Sequence, residues 1–555
     1  MSDRRSSSGP VNLKSVVAIS GLAAPLLCTA VEPGHWELPR EYLRDNGARG
    51  EVILNGWWEV KDPTTDAVRW ERIPNIIRPG TGTGEMRFRR EFHLPPGWEH
   101  RELVLEIGNL NSGGKIFLNG ALLGDIPARQ PPERFLEFSV PPELLRRDRQ
   151  ELCVVTDMIG DDLWLRAFPR SAARVTDSYI IPSTRRQAIT LELEGTGQPG
   201  TPFTITAFIH DDPQGGRIVK SLPPHTLTIG ADGQWRVTIS APWKDAKWWS
   251  PWEPHLYWYT VVLTDAGGER LDAVLPRRFG FREVWTENKR FMLNGLPLYF
   301  SGDTWSRTMH MRTHMREQVL STMRIFHQVG LIGVARLSSD TAFTAADETG
   351  IIIAQASIGG LDVPMEVVAA LAKDEAGDAG GDADFTGGDE ESYRASQERL
   401  ARHIRRWREH PSILTWSIRS PWSRITLDST RQGLSEEPWR FWPGNEDDAA
   451  VENNRRRYLA ASITADFVRR IDPHRPISAQ NNPDVEVEFA TRYLCDNLDL
   501  QEREMFFVHF MENDSPKVLM PSEAGMPFPG HQLLRQKPHQ MPQGANYPAI
   551  HLENA

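Results

Sequence analysis

The stretch His410–Trp422, "HPSILTWSIRSPW", decides how the second half of this 555-residue chain is read. Between a Pro-Ser turn and Pro421 it holds a short run, Ile413 to Ile418, apolar but for the small Thr415 and Ser417, the pattern of a buried strand. A helical pattern, "ERLARHIRRWREH", comes directly before it. The alternation continues on both sides. Upstream lie "MREQVLSTMRIFHQVG" as a helix, "LIGVARLS" as a strand, "AFTAADETG" as a helix and "IIIAQASI" as a strand. Downstream come the helix "NNRRRYLAASITADFVRRI" and the strands "PISAQ" and "KVLMPSEAG". Repeated strand-then-helix units imply a parallel sheet, and this many in one run predict a (β/α)8 TIM barrel over residues 286–555.

Ahead of it the period is two, not 3.6. "EVILNGWWEV", "EMRFRREFHL", "ELVLEIGNL", "GKIFLNGALLGD", "RFLEFSV" and "ELCVVTDM" alternate apolar with polar residues and are bounded by Gly, Pro, Asn and Asp, which predicts a β-sandwich over 45–182. Asn119-Gly120 reads as a type I′ hairpin turn, since both central residues there need positive φ. A second strand-rich block, "AITLELEG", "FTITAFIH", "QWRVTIS", "YWYTVVLT" and "RRFGFREV", predicts an immunoglobulin-like sandwich over 183–285.

Residues 1–30 read as a signal peptide: Arg4, Arg5 and Lys14 precede the apolar run "VVAISGLAAPLLCTAV", which is too short and too interrupted to span a bilayer. The expected location is secreted or periplasmic. A net charge of -11 argues against a nucleic-acid partner, because affinity for phosphate backbones comes from clustered cations. The run "RHIRRWREH" is expected to be the exposed face of a helix. Three cysteines, Cys28, Cys153 and Cys495, have no ligand spacing, so neither a disulfide framework nor a metal site is expected. The Gly/Asp-rich run "DEAGDAGGDADFTGGDEE" reads as a surface loop. Nineteen Trp residues supply core packing and the flat apolar faces on which sugar rings stack.

In a parallel barrel the chemistry gathers where the strands end. The run "KVLMPSEAGM" ends in Glu523, a carboxylate with small neighbours, which is a candidate nucleophile or base and equally a candidate strand-end ion-pair partner.

The order of parts resembles the glycoside hydrolase family of β-galactosidases, β-glucuronidases and β-mannosidases, family 2. "LNGWWEV", "RFRREFHLPPGW" and "IFLNGALLGD" resemble its amino-terminal jelly roll; "WWSPWEPHLY" and "RRFGFREV" resemble the end of its immunoglobulin-like domain. "FMLNGLPLYFSG", "GLIGVARLS", "ADETGIII", "EHPSILTWSI" and "RIDPHRPIS" are similar, in that order, to its approach to the barrel and its second to fifth strands. The resemblance implies a retaining hydrolase of β-linked sugars at a non-reducing end, acting on an oligosaccharide or polysaccharide-derived glycoside without a cofactor, and working with no membrane partner. It maps the nucleophile onto Glu523. The family's acid/base closes a Trp-Ser-x-Gly-Asn-Glu motif, which here starts as Trp416-Ser417-Ile418 and then departs into Arg419-Ser420-Pro421. A Gly-Asn-Glu triplet follows later, Gly444-Asn445-Glu446, making Glu446 the candidate acid/base after an insertion. The alternative is a carbohydrate-binding protein on the same scaffold that has lost its acid.

Around these, Arg336 matches the family's arginine and is placed to orient Glu523 or to serve as a structural ion pair, while Ser339 stands where a histidine is usual. Asp303 and Asn481 are candidate partners of sugar hydroxyls. Trp305 and Trp416 are candidate stacking faces, with barrel packing as the other reading. Tyr493 is a candidate for the tyrosine near the nucleophile. The Pro- and Gln-rich carboxyl terminus lacks a last helix pattern, so either an incomplete barrel or a fragment of a longer chain is expected.

Overall fold

A computed structural model describes residues 38, 43–62, 67–74, 85–108, 113–126, 135–157, 159–160, 162–287, 290–298, 301–304, 316–335, 340–364, 366–367, 388–418, 448–479, 500–503 and 518–521. Antiparallel sheets fill the first half of the chain and a partly described α/β region the second.

Two sheets form the first group. One runs in the order Arg44–Asp45, Gly50–Ile53, Leu163–Phe168, Glu102–Gly108, Phe135–Val140; the other runs Val68–Ile73, Gly56–Lys61, Met86–His93, Arg149–Thr156, Gly114–Leu118, Ala121–Ile126. Alternation puts Trp58, Val60, Phe88, Leu105, Ile116, Val154 and Leu165 into one core between them. Arg90 breaks the pattern, sitting inward between Phe88 and Phe92 at 4% exposure. Its guanidinium donates to the carbonyls of Leu54 (2.7 Å) and Asn55, and burial pushes its pKa down to about 10. Asn119 and Gly120 take φ of 55° and 88°, the positive pair that the Asn-Gly signature predicts.

The second group sets Ala173–Ser183, Ala188–Gly197 and Gln234–Pro242 against a sheet built on Pro202–His210 and Tyr257–Thr264. "QWRVTISAP" alternates strictly, burying Trp235, Val237, Ile239 and Ala241. The boundary expected at 182/183 is corrected here. Ala173–Ser183 pairs along its length with Ala188–Gly197 through a tight hairpin, so this group starts at Ala173. Pro182 is tolerated there because the strand is the sheet's edge.

The parallel strands follow in chain order. Ser301–Thr304, Leu331–Ala335 and Ile352–Ile353 are neighbours, and so are Ala356–Gly359, Trp416–Ile418, Ile477–Ala479, Leu500–Arg503 and Val518–Pro521. "IIIAQASI" supplies two short pieces, the first pairing with the second strand and the second with the fourth. Helices Arg316–Gln328, Asp340–Thr349, Glu390–Trp407 and Asp448–Ile471 intervene, and Met323, Phe343, Ile404, Trp407, Trp416 and Val468 close one core between them and the strands. The end of the acidic run has a structural job: Asp389 caps helix Glu390–Trp407 by accepting from the Ser392 backbone N–H at 2.7 Å. Gly350 ends helix Asp340–Thr349 at φ 78°, with the Pro251 carbonyl occupying the space a Cβ would need.

The arginine run is a solvent face only in part, which corrects the sequence reading: Arg402 and Arg405 are exposed, Arg406 and Arg408 are not. Arg406 reaches Glu106 of the first sandwich at 2.6 Å and Asp340 at 2.7 Å. Arg408, 6% exposed, pairs with Asp177 of the second group at 2.7 Å and lies over the Tyr179 ring. Charge periodicity alone does not separate a helix facing water from one facing acidic neighbours. The partners are 300 and 231 residues away in sequence. Among the described residues, no helix is long and apolar enough to cross a membrane.

Candidate active site

Parallel pairing fixes one edge of the α/β region. At the carboxyl ends, Thr304 lies opposite Ala335, Gly359 opposite Ile418, Ile418 opposite Ala479, and Arg503 opposite Pro521. In chain order Trp305, Arg336, Arg419 and Asn481 come just after these positions, and Glu523 comes just after Pro521. The neighbour order makes Val518–Pro521 the seventh strand, provided that Ile352–Ile353 and Ala356–Gly359 count as halves of the third. Helix Asp448–Ile471 begins earlier than "NNRRRY", and Glu446 is two residues ahead of that start.

Glu523, Glu446, Arg336, Trp305, Asn481 and Tyr493 lie outside the described residues. Asp303 is in the first strand, in register with Val334. The sixth strand, weakly marked in the sequence, is Leu500–Arg503, so Tyr493 precedes it in the chain and does not follow it.

Trp416 is enclosed rather than offered as a face. It starts the fourth strand at 0% exposure, its indole N–H donates to Asp472 at 2.9 Å, and Arg475 stacks over its ring. The packing reading of this residue is the one the structure bears out.

Sequence reasoning missed the polar groups beneath the strands, at their amino ends. Asp472, fully buried, accepts from Trp416, from Arg475 Nη1 at 2.8 Å, from the Tyr179 hydroxyl at 3.0 Å and from the His474 backbone at 3.1 Å. Burial would raise its pKa, but the Arg475 guanidinium and these donors hold it below the usual carboxylate range. Asp347 does the same one strand away, accepting from His410 Nδ1 at 2.6 Å, Arg278 at 3.0 Å and the Ser412 backbone at 3.1 Å. Glu409 takes Arg277 at 2.8 Å and the Tyr259 hydroxyl, yet burial pushes its pKa up. Each acid closes a helix-to-strand turn, in "ADETG", "REHPS" and "RIDPHRP". The available signal was an acid at a helix end shortly before Gly or Pro. These groups tie the second sandwich to the strand bases and so fix the level at which the opposite ends emerge. Among the described residues no cluster of three or more His, Cys, Asp or Glu is set to hold a metal.

Antiparallel sandwiches feed a parallel α/β region, with buried ion pairs between them, and this is the architecture to set beside known proteins. Residues 173–282 match the family model described as Glycosyl hydrolases family 2. A β-galactosidase of Halalkalibacterium halodurans is 22% identical over 491 residues, covering 80% of this chain and 47% of that protein. A β-glucuronidase of Streptococcus agalactiae is 22% identical over 40% of this chain and 39% of its own length. The structure of a β-D-glucuronidase from Dictyoglomus thermophilum superimposes with a TM-score of 0.60 at 15% identity, over 86% of this chain and 83% of that one. A Bacteroides uniformis β-glucuronidase gives 0.59 at 17% identity, over 82% and 55%. Over residues 173–282 the chain matches glycoside hydrolase family 2, and over most of its length it is similar to β-galactosidases and β-glucuronidases. It spans about half the length of the first of these curated relatives.

Proposed function

We propose that the protein is a retaining glycoside hydrolase that removes a β-linked sugar from the non-reducing end of an oligosaccharide or polysaccharide-derived glycoside. In this reading the parallel strands are those of a (β/α)8 barrel beneath a jelly-roll and an immunoglobulin-like sandwich. One observation carries it. In the sequence Glu523 follows by two residues the end of Val518–Pro521, the seventh parallel strand in chain order, which supports a role where a barrel gathers its reactive groups.

In the first half-reaction the Glu523 carboxylate attacks the anomeric carbon while the bond to the leaving oxygen breaks, and that oxygen takes the proton of Glu446. In the second, Glu446 takes a proton from water, the water oxygen bonds to the anomeric carbon, and the glycosyl ester to Glu523 breaks. Two inversions give net retention, which needs the carboxyls about 5–5.5 Å apart. Arg336 would orient Glu523 by a bidentate pair, Asp303 and Asn481 would bind sugar hydroxyls, and Trp305 would stack on the ring.

The test is a broad panel of aryl β-glycosides with Glu523→Gln alongside. The variant should fold and lose turnover, and a fluoro-sugar inactivator should label Glu523 in the parent. A label on another residue removes the assignment.

A second reading, a carbohydrate-binding protein without turnover, is favoured by Arg419-Ser420-Pro421 where the family carries Gly-Asn-Glu. Saturable sugar binding with no product across the panel would select it. Export through residues 1–30 belongs to the same proposal, and the amino-terminal sequence of the protein recovered from its source cell tests it.

A further inference from the structure

A cleft of about 220 Å³ opens where the second sandwich meets the turns leading into the fourth and fifth parallel strands. It lies at the amino ends of those strands, away from the edge proposed for glycoside cleavage. Its wall carries five arginines against two glutamates.

Most of that charge is matched. Arg185 pairs with Glu283 at 2.6 Å and stacks on Trp285, Arg408 pairs with Asp177 at 2.7 Å, and Arg475 with Asp472 at 2.8 Å. The remaining wall glutamate, Glu409, is taken by Arg277. Two cations are left without a carboxylate among the described residues. Arg186 stands exposed at the rim. Arg282 is only 8% exposed, and of its guanidinium N–H groups one accepting partner is found, the Ile413 carbonyl.

A buried guanidinium with no carboxylate in contact is costly, because the low dielectric that strengthens ion pairs also penalises an unpaired charge, and Asp472 and Asp347 offset that cost only at a distance. Its pKa reflects this: burial, with repulsion from Arg475, pushes it down to about 9. An anion in the cleft would supply a further acceptor and a counter-charge in direct contact together. The volume suits a small one, being below the roughly 300 Å³ at which pockets for drug-sized ligands begin.

We propose that this cleft binds a small oxyanion, either an inorganic phosphate or sulfate or the carboxylate of a sugar acid, with Arg282 in the wall and Arg186 at the rim as its two cationic partners.

The experiment uses the full chain, titrated with sodium phosphate, sodium sulfate and sodium glucuronate at an ionic strength held constant with sodium chloride. Melting temperature and calorimetric heat are the readouts. At least one of the three should raise the melting temperature with saturation and release heat, and which one does so identifies the source of the oxyanion. Arg186→Ala should weaken that response about tenfold, the value of one charge-assisted contact, and Arg186→Glu should weaken it further. Arg282→Met should abolish it. Should Arg282→Met fail to fold, the two rim variants decide alone, since Arg186 is exposed and packs into no core. A response that chloride reproduces, or one unchanged in both rim variants, overturns the proposal.

Discussion

Replacing Asp472 by alanine should be among the most damaging single changes outside the strand ends. The carboxylate is fully buried and receives four donors, from the fourth strand, from the second sandwich and from its own turn. Its removal leaves Arg475, 9% exposed, facing the carbonyls of Ile413 and His410 with no negative charge. Breaking one side of a buried pair costs about 3–5 kcal/mol, because the other charge stays desolvated. At roughly 2–4 °C per kcal/mol for a unit of 150–250 residues, the α/β transition should fall by roughly 10 °C. Asp472→Asn keeps an acceptor but loses the charge, so about half of that loss is expected. The pH dependence follows from the lowered carboxyl pKa. Stability from this group is present above the unfolded value, about 3.9, and is lost as pH falls through the lower folded value. The gap between the parent and Asp472→Asn should therefore close only below about pH 4. Calorimetry at neutral and acid pH measures both effects. A shift of under roughly 2 °C at neutral pH, or a gap that persists undiminished at the acid extreme, would refute the argument.

Three further outcomes can be checked. Burial, partly offset by Asn55, pushes the Asp162 pKa up to about 6, so its contribution is present at low pH and lost as pH rises through that value. Asp162→Asn should gain about 1–2 kcal/mol at pH 8 after allowance for its partial exposure, and nothing near pH 4, by denaturant titration. Gly120→Ala, at φ 88°, should cost about 1–2 kcal/mol of first-sandwich stability, whereas Gly216→Ala, where φ is not positive and only the Asp212 side chain is near, should cost less. Glu446→Ala should spare the first step on a dinitrophenyl glycoside, slow the second, and be rescued by azide; small, equal effects on good and poor leaving groups would sink its role.

Sequence alone determined the elements whose information is local. Period-two runs gave the sandwich strands, Asn119-Gly120 gave its hairpin, and the strand-helix alternation around "HPSILTWSI" gave the parallel order, because side-chain periodicity and positive-φ turns are properties of neighbours in the chain. Tertiary structure decided what those elements face. Nothing within "RHIRRWREH" says that Arg406 meets Glu106 and Asp340 or that Arg408 meets Asp177, and nothing around Trp416 says that Asp472 encloses it from below. The sandwich boundary moved to Ala173 for the same reason, since a strand belongs to the sheet it pairs with and pairing is a contact across space. An ion pair or an enclosed ring depends on residues from about 56 to 300 positions away, so its energy has no signature in a local pattern.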